Sequence, residues 1–196
     1  MKEIETRRSI RKFENREIPR EIVDKILTAG IKAPSAKNRQ PWKFTVVTGS
    51  AKAQAVELMR RGIKLEEETG RLLPGSKRHI ADAWHTAKIM DEAPVLIMIG
   101  NPGGKSPCES LSPEERFFEW ADIQSVGAAI ENMILEAESL GIGSLWICNI
   151  FFAYEEFSEF FKDSGTLMAA LSLGYAAETP HARPRKPFDK TVIYME

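Results

Sequence analysis

The sequence predicts one domain that mixes helices and strands, with a central strand covered on both faces and a long helix packed in the interior. Two stretches carry most of that expectation. Val95-Leu96-Ile97-Met98-Ile99 is an uninterrupted apolar run, which suits a strand shielded on both sides. Ser112-Pro113-Glu114-Glu115 supplies an N-cap, a proline at the first helical position and a glutamate three residues after the serine, which together make a capping-box start. Beyond it Ile123, Val126, Ile130, Ile134 and Ala137 recur at spacings of three and four, and Gly127-Ala128-Ala129 permits close approach by a neighbour. This central helix is expected to end near Gly141.

The other elements follow in chain order. Pro19 sits in the first turn of a helix whose residues Ile22, Ile26, Ala29 and Ala33 keep helical spacing until Pro34 stops it. Ser35 to Pro41 is a polar loop, and Trp42 to Thr48 reads as a strand ended by Gly49-Ser50. A charged amphipathic helix starts near Ala51, and another is expected from Ser76 to about Glu92, broken by Ala93-Pro94. Asn101 to Ser112, with two prolines and two glycines, is an exposed loop. Ser144 to Cys148 and Met168 to Leu173 are further strands, separated by a helix around Tyr154 to Lys162. Thr191 to Met195 reads as a last strand beyond a proline-rich linker, placed to pair with its own sheet or with a partner's.

The chain has 196 residues, of which 43% are hydrophobic and 28% charged, so residues 1–196 are expected to fold as one large domain. A formal charge of -1 argues against bulk nucleic-acid binding, although cations cluster at residues 7–12 and 183–190. Cys108 and Cys148 form no disulfide framework and no CxxC pattern, which points to a reducing cytoplasm. No apolar stretch is long enough to span a bilayer, and the first residues lack the pattern of a leader, so no membrane association is expected.

Three segments carry candidate chemistry. In an extended backbone Arg7, Ser9 and Arg11 project to one side and Ile10 to the other, so two guanidinium forks and a hydroxyl converge as a phosphate or carboxylate would require. Pro184 biases Arg183 toward extended geometry, which puts Arg183 and Arg185 on a common side. Two such clusters from opposite ends of the chain suit the clamping of one anion, and the competing reading is a solvated basic patch and linker. Between Ala33 and Trp42, Asn38 and Gln40 each offer a donor and an acceptor, the equipment for a heterocycle of mixed polarity. Such residues are also common in ordinary loops.

Other chemistries fit less well. Gly100-Asn101-Pro102-Gly103-Gly104 lacks the GxGxxG spacing of a dinucleotide fold. His79 and His85 are six residues apart. That places them roughly 240° apart around a helix, and no metal site is expected. Cys148 reads as a small apolar filler more readily than as a redox thiol.

RRSIRKF, APSAKNRQPWKF, the apolar helix ending at LGIGSLWI, and LSLGY followed by RPRKP occur in that order over nearly the whole chain and resemble the nitroreductase family. The resemblance implies an α+β homodimer with a central, mostly antiparallel mixed sheet flanked by helices, FMN at the interface and a C-terminal strand exchanged between subunits. It makes Arg7, Arg8, Ser9 and Arg11, joined by Arg183 and Arg185, the candidates to hold the FMN phosphate and ribityl chain. Pro34, Ser35, Asn38 and Gln40 would come from the other subunit, and the backbone at Trp146, Ile147 and Cys148 would approach the ring. The implied activity is ping-pong transfer of electrons from NADH or NADPH to a small acceptor such as a nitroaromatic or quinone, with no catalytic side chain required. Flavin binding without turnover and the flavin-fragmenting or dehalogenating relatives are the alternatives, and no acidic-aromatic-basic lid trio supports deiodination. Phe117, Phe118 and Trp120 are candidates for the substrate mouth or, equally, hydrophobic residues of an ordinary helix.

Overall fold

Four antiparallel strands make the sheet of the computed structural model, which describes residues 1–196. Their order is β1 (Lys43–Val47), β2 (Val95–Asn101), β4 (Thr166–Gly174), β3 (Gly143–Ile147). The fold is therefore α+β, as expected, and every residue of β2 is buried.

The apolar run in β2 serves two cores at once because successive side chains point to opposite faces. Leu96 and Met98 join Val56, Met59 and Ile63 of α3 (Gly49–Thr69), Ala87 and Met90 of α4 (Ile80–Glu92) and Phe157 of α6 (Tyr154–Phe160). Val95, Ile97 and Ile99 pack on the other side with Val23 and Ile26 of α2 (Arg20–Ile31) and Val126, Ile130 and Met133 of α5 (Pro113–Ser139). Helices thus cover both faces, and neither face of the central strand tolerates a polar residue without a partner.

The capping box of α5 forms as the sequence predicts. Glu115 N–H donates to Ser112 Oγ at 3.3 Å, and Ser112 N–H donates to the Glu115 carboxylate at 2.9 Å. Buried residues in α5 begin only at Ser125, and Ile123, expected in the core, is 45% exposed. The reason is length. The 27 residues of α5 span about 40 Å at the helical rise. The nine residues of β4 span about 30 Å, so the N-terminal turns of α5 overshoot the sheet.

Other differences from expectation are local. Pro19 is the N-cap residue of α2 and not a helical one, and Pro74–His79 form a 3₁₀ turn before α4 begins at Ile80. The C-terminal strand is absent: a 3₁₀ turn at Phe188–Lys190 leads into irregular chain in which Ile193, Tyr194 and Met195 are 85%, 78% and 94% exposed. A strand needs a partner edge to satisfy its backbone, and within one chain the tail meets none.

The carboxylate of Glu115 is held below the usual glutamate range, first by the hydrogen bond from the Ser112 backbone and then by the Ser112 hydroxyl. A lowered folded-state pKa stabilises the fold above the ordinary value of 4.5, and that stabilisation is lost as pH falls through the folded value. Glu115→Gln is therefore expected to melt below the parent at about pH 7 and to converge with it as pH falls through the lowered folded value. Thermal unfolding followed by circular dichroism checks this, and a gap that persists in acid would mean that the charge is not what matters.

Candidate functional site

The N-terminal segment is sewn onto the end of the sheet by its backbone. Ile10 N–H donates to Ser144 O at 2.9 Å, and Ser9 and Ser144 form a parallel bridge on the outer edge of β3, which adds the mixed character expected of the sheet. Farther along, Ala177 N–H donates to Lys12 O at 3.0 Å and Glu14 N–H to Tyr175 O at 2.9 Å, while Phe13 bridges Ala176.

Two glycines make room for this arrangement. A Cβ on Gly143 would lie 2.8 Å from Ile10 Cγ1, and one on Gly174 would lie 2.5 Å from Phe13 Cδ1. Ile10 and Phe13 fill these hollows and are buried, so their neighbours turn outward. Arg7, Arg8, Ser9 and Arg11 then line a cleft of about 250 Å³ together with His181, Arg183 and Arg185 from the far end of the chain. Five arginines face one another there with Glu5 as the acidic residue of the lining.

The arginines are not equivalent. Arg8 Nη1 donates to Glu5 O at 2.8 Å and to Arg7 O at 2.7 Å, so it closes the C-terminal end of α1 (Lys2–Thr6). Arg7 makes a 3.9 Å ion pair with Glu131, a long and partly exposed contact of small energetic weight. Arg11 Nη1 reaches Ser9 O at 3.1 Å, and Arg185 Nη1 reaches Arg183 O at 3.4 Å. Each guanidinium has five N–H donors, so Arg7, Arg11, Arg183 and Arg185 keep most of theirs free for a ligand.

Beyond the Ser9 bridge, the outer edge of β3 from Leu145 to Ile147 pairs with nothing. Ile147 is buried in the core, so only its backbone is available to a ligand. Trp146 points to the opposite face, is 39% exposed and lies over Gly127 of α5. Cys148 is exposed where β3 ends and is not the buried filler that the sequence suggests. Partial burial still pushes its thiol pKa up from 9.0, so it is no thiolate at neutral pH.

The loop between α2 and β1 is conformationally unusual. Lys37, Asn38 and Gln40 have φ of 53°, 54° and 50°, in the left-handed region. This geometry costs L-residues roughly 1–2 kcal/mol each, least for asparagine. Ser35 Oγ accepts from Gln40 N–H at 3.0 Å, and Ser125 Oγ of α5 accepts from Ala36 N–H at 3.2 Å. Arg39 pairs with Asp122 of α5 at 2.6 Å. Pro34, Asn38 and Gln40 are exposed and Ser35 is partly so.

The structure brings the two arginine clusters together but does not bring the 34–40 loop to them. Glu131, which meets Arg7, and Asp122, which meets Arg39, are nine residues apart on α5. That separation is about 13 Å along the axis and about 180° around it. Within one chain the loop and the cleft therefore occupy opposite sides of the helix. Asp122 and Ser125, which hold the loop, are not among the residues that the sequence singles out. Their only signal is a polar i, i+3 pair in a helix otherwise read for its apolar stripe. Gly143 and Gly174 have no sequence signal beyond being glycines beside strands. No three His, Cys, Asp or Glu side chains gather into a metal-binding set.

A family model described as the nitroreductase family matches residues 4–175. The chain belongs to the nitroreductase family. It is 30% identical over 197 residues to a protein of Methanothermobacter thermautotrophicus, a candidate NADH dehydrogenase/NAD(P)H nitroreductase, covering 98% of this chain and 84% of that one. An iodotyrosine dehalogenase 1 homolog of Caenorhabditis elegans is 25% identical over 191 residues, which cover 90% of this chain and 54% of the relative, so the chain spans about half of that protein. The crystal structure of a variant of an FMN and NADPH-dependent nitroreductase from Sphigopyxis superposes with a TM-score of 0.76 at 22% identity, covering 98% and 97% of the two chains. At that identity the superposition establishes the nitroreductase fold.

The seating of Ile10 is testable. Gly143→Val is expected to cost about 1–3 kcal/mol in urea unfolding through overpacking and to raise amide hydrogen exchange across residues 8–14. Exchange unchanged from the parent would show that Gly143 does not hold this segment in place.

Proposed function

We propose that the protein is an FMN-dependent oxidoreductase that takes electrons from NADH or NADPH and passes them to a small organic acceptor such as a nitroaromatic or a quinone. The observation that carries this reading is the convergence of Arg7 and Arg11 with Arg183 and Arg185 in one cleft beside the open edge of β3. Free guanidinium donors and the Ser9 hydroxyl suit a phosphate dianion on a short polyol, and an unpaired strand edge suits the hydrogen-bonding rim of a flat heterocycle. The residues present therefore fit FMN.

In this reading Arg7, Arg11, Arg183 and Arg185 hold the phosphate, Ser9 meets the ribityl chain, and the backbone around Trp146, Ile147 and Cys148 borders the ring. Arg8 shapes the cleft through α1 and does not bind the anion. FMN supplies hydride acceptance and delivery when bound, which is why no acid–base pair is needed among the side chains. One open face would serve donor and acceptor in turn, the arrangement of a ping-pong reaction.

The reading includes a homodimer. Pro34, Ser35, Asn38 and Gln40 would reach the cleft of a second subunit, since within their own chain they lie across α5 from it. Exposed Trp120 and Ile123 on α5 and exposed Ile193 and Tyr194 in the tail supply the apolar area that such an assembly would cover. Residues 1–196 would act as one FMN-binding domain, and the two free cysteines suit the reducing cytoplasm. No helix is long and apolar enough to cross a membrane.

Absorbance of the purified protein between about 300 and 550 nm, before and after anaerobic NADH or NADPH, tests the activity directly. Flavin bands bleached by a nicotinamide are expected. Bands that stay oxidised with both donors would favour flavin binding without turnover, and a colourless protein that cannot take up FMN would sink the proposal.

The clamp is tested residue by residue. Arg7→Ala and Arg183→Ala each remove a charge-assisted contact of roughly 1.5–3 kcal/mol, so FMN affinity should fall by about one to two orders of magnitude. Arg8→Ala should weaken the fold more than the affinity. Parent-like FMN titrations for both Arg7→Ala and Arg183→Ala would overturn the assignment.

A further inference from the structure

Asp122 sits where three parts of the fold meet. Its Oδ1 accepts two hydrogen bonds from the Arg39 guanidinium, at 2.6 Å from Nη2 and 3.1 Å from Nε. Its Oδ2 accepts from Asn101 Nδ2 at 3.4 Å. Asn101 closes β2, is buried, and is itself fixed: its Oδ1 accepts from Gly103 N–H at 3.0 Å, and a Cβ on Gly165 would collide with its carbonyl oxygen. Asp122 is therefore referenced to the end of β2 through Asn101.

Arg39 is placed to transmit that position to the loop. It lies between Asn38 and Gln40, two of the three left-handed residues, so fixing its side chain restrains the backbone on both sides. The guanidinium also lies over the Phe118 ring, 5.4 Å from its centre. Three residues on from Asp122, Ser125 holds Ala36 N–H and donates to Ala121 O at 2.7 Å. Two side chains spaced i, i+3 on one face of α5 thus grip the start and the crest of the loop. The Asn38 side-chain amide makes no hydrogen bond within the chain, and that of Gln40 makes one, of 3.4 Å, to Asn38 O. The loop is tied down in backbone and unsatisfied in side chain, the state of a preorganised recognition element.

We propose that Asp122 is a positioning residue that, through Arg39, locks Lys37, Asn38 and Gln40 in left-handed backbone, and so sets how Asn38 and Gln40 are presented to the flavin of the facing subunit. The presentation to flavin rests on the FMN reading, whereas the lock itself does not. Because Asp122 takes two donors of the Arg39 guanidinium and balances its charge, Arg39 serves the shape of the loop.

Hydrogen exchange of the purified full chain reads the lock without reference to activity. Asp122→Ala should raise exchange in peptides covering residues 34–41 by about tenfold, the factor set by loss of a charge-assisted hydrogen bond. Peptides from α2 and β2 should keep parent-like protection. Asp122→Asn, which preserves shape and leaves one acceptor oxygen for Arg39, should give a smaller rise and guards against a general loss of folding. The exchanged pair Arg39→Asp with Asp122→Arg should return protection toward the parent. FMN titration of the same proteins should show weaker binding in Asp122→Ala and recovery in the exchanged pair. Unchanged exchange over 34–41, a rise spread over all peptides, or an exchanged pair that restores nothing overturns the lock. Altered exchange with FMN affinity unchanged keeps the lock and overturns its role toward flavin. A protein that takes up no FMN refutes the FMN reading, and the exchange data still decide the lock.

Discussion

The site depends on Ile10 and Phe13 being pressed into the hollows over Gly143 and Gly174. Gathering five arginines in one cleft is electrostatically unfavourable in the absence of an anion, since each like pair repels and the low-dielectric wall beneath strengthens the repulsion. What offsets it is apolar burial of roughly 1.5–3 kcal/mol for each of the two side chains, together with the backbone hydrogen bonds to Ser144, Tyr175 and Ala177. The cationic cleft is thus built from the hydrophobic side. The residues that would meet the ligand do not have to hold the segment in place.

The sheet and α5 give this local arrangement its frame. Because β2 and β4 are buried on both faces, the end of β4 is fixed, and with it the 174–178 stretch that pairs with the N-terminal segment. Helix α5 then works as a ruler. Glu131 stands near Arg7, Gly127 lies beneath Trp146, and Ser125 and Asp122 hold the 34–40 loop. A helix longer than the sheet it covers leaves its first turns bare, and Phe117, Trp120 and Ile123 remain exposed there. Their exposure follows from geometry and not from any weakness in the apolar pattern.

Much of this was legible before any coordinates. The apolar run at 95–99 and the capping box at 112–115 are local signals, each complete within a few residues, and both formed as read. The alternation around Ile10 correctly turned Arg7, Ser9 and Arg11 toward the cleft, because period two holds for any extended chain. Ile123 was misread because periodicity says which face of a helix is apolar and not how far the covering layer extends. No strand forms at 191–195 within one chain, because strand propensity has no effect without an edge to pair with, and the pairing expected with a partner belongs to the dimer. Nothing in the neighbours of Cys148 shows that β3 ends there, at the surface, so the sequence pattern points to a filler where the structure exposes the thiol.

The sequence by itself determined the sheet strands and the main helices, the family and the identity of the two basic clusters, all of which rest on short-range chemistry or on motifs in order along the chain. Only the tertiary structure decided that clusters more than 170 residues apart share one cleft, and that Arg8 among them is turned back onto α1. Only the tertiary structure, too, assigned the 34–40 loop to Asp122 and Ser125. These are long-range pairings, fixed by how two cores close on one sheet, and a linear pattern holds no record of which surface residues that closure brings face to face.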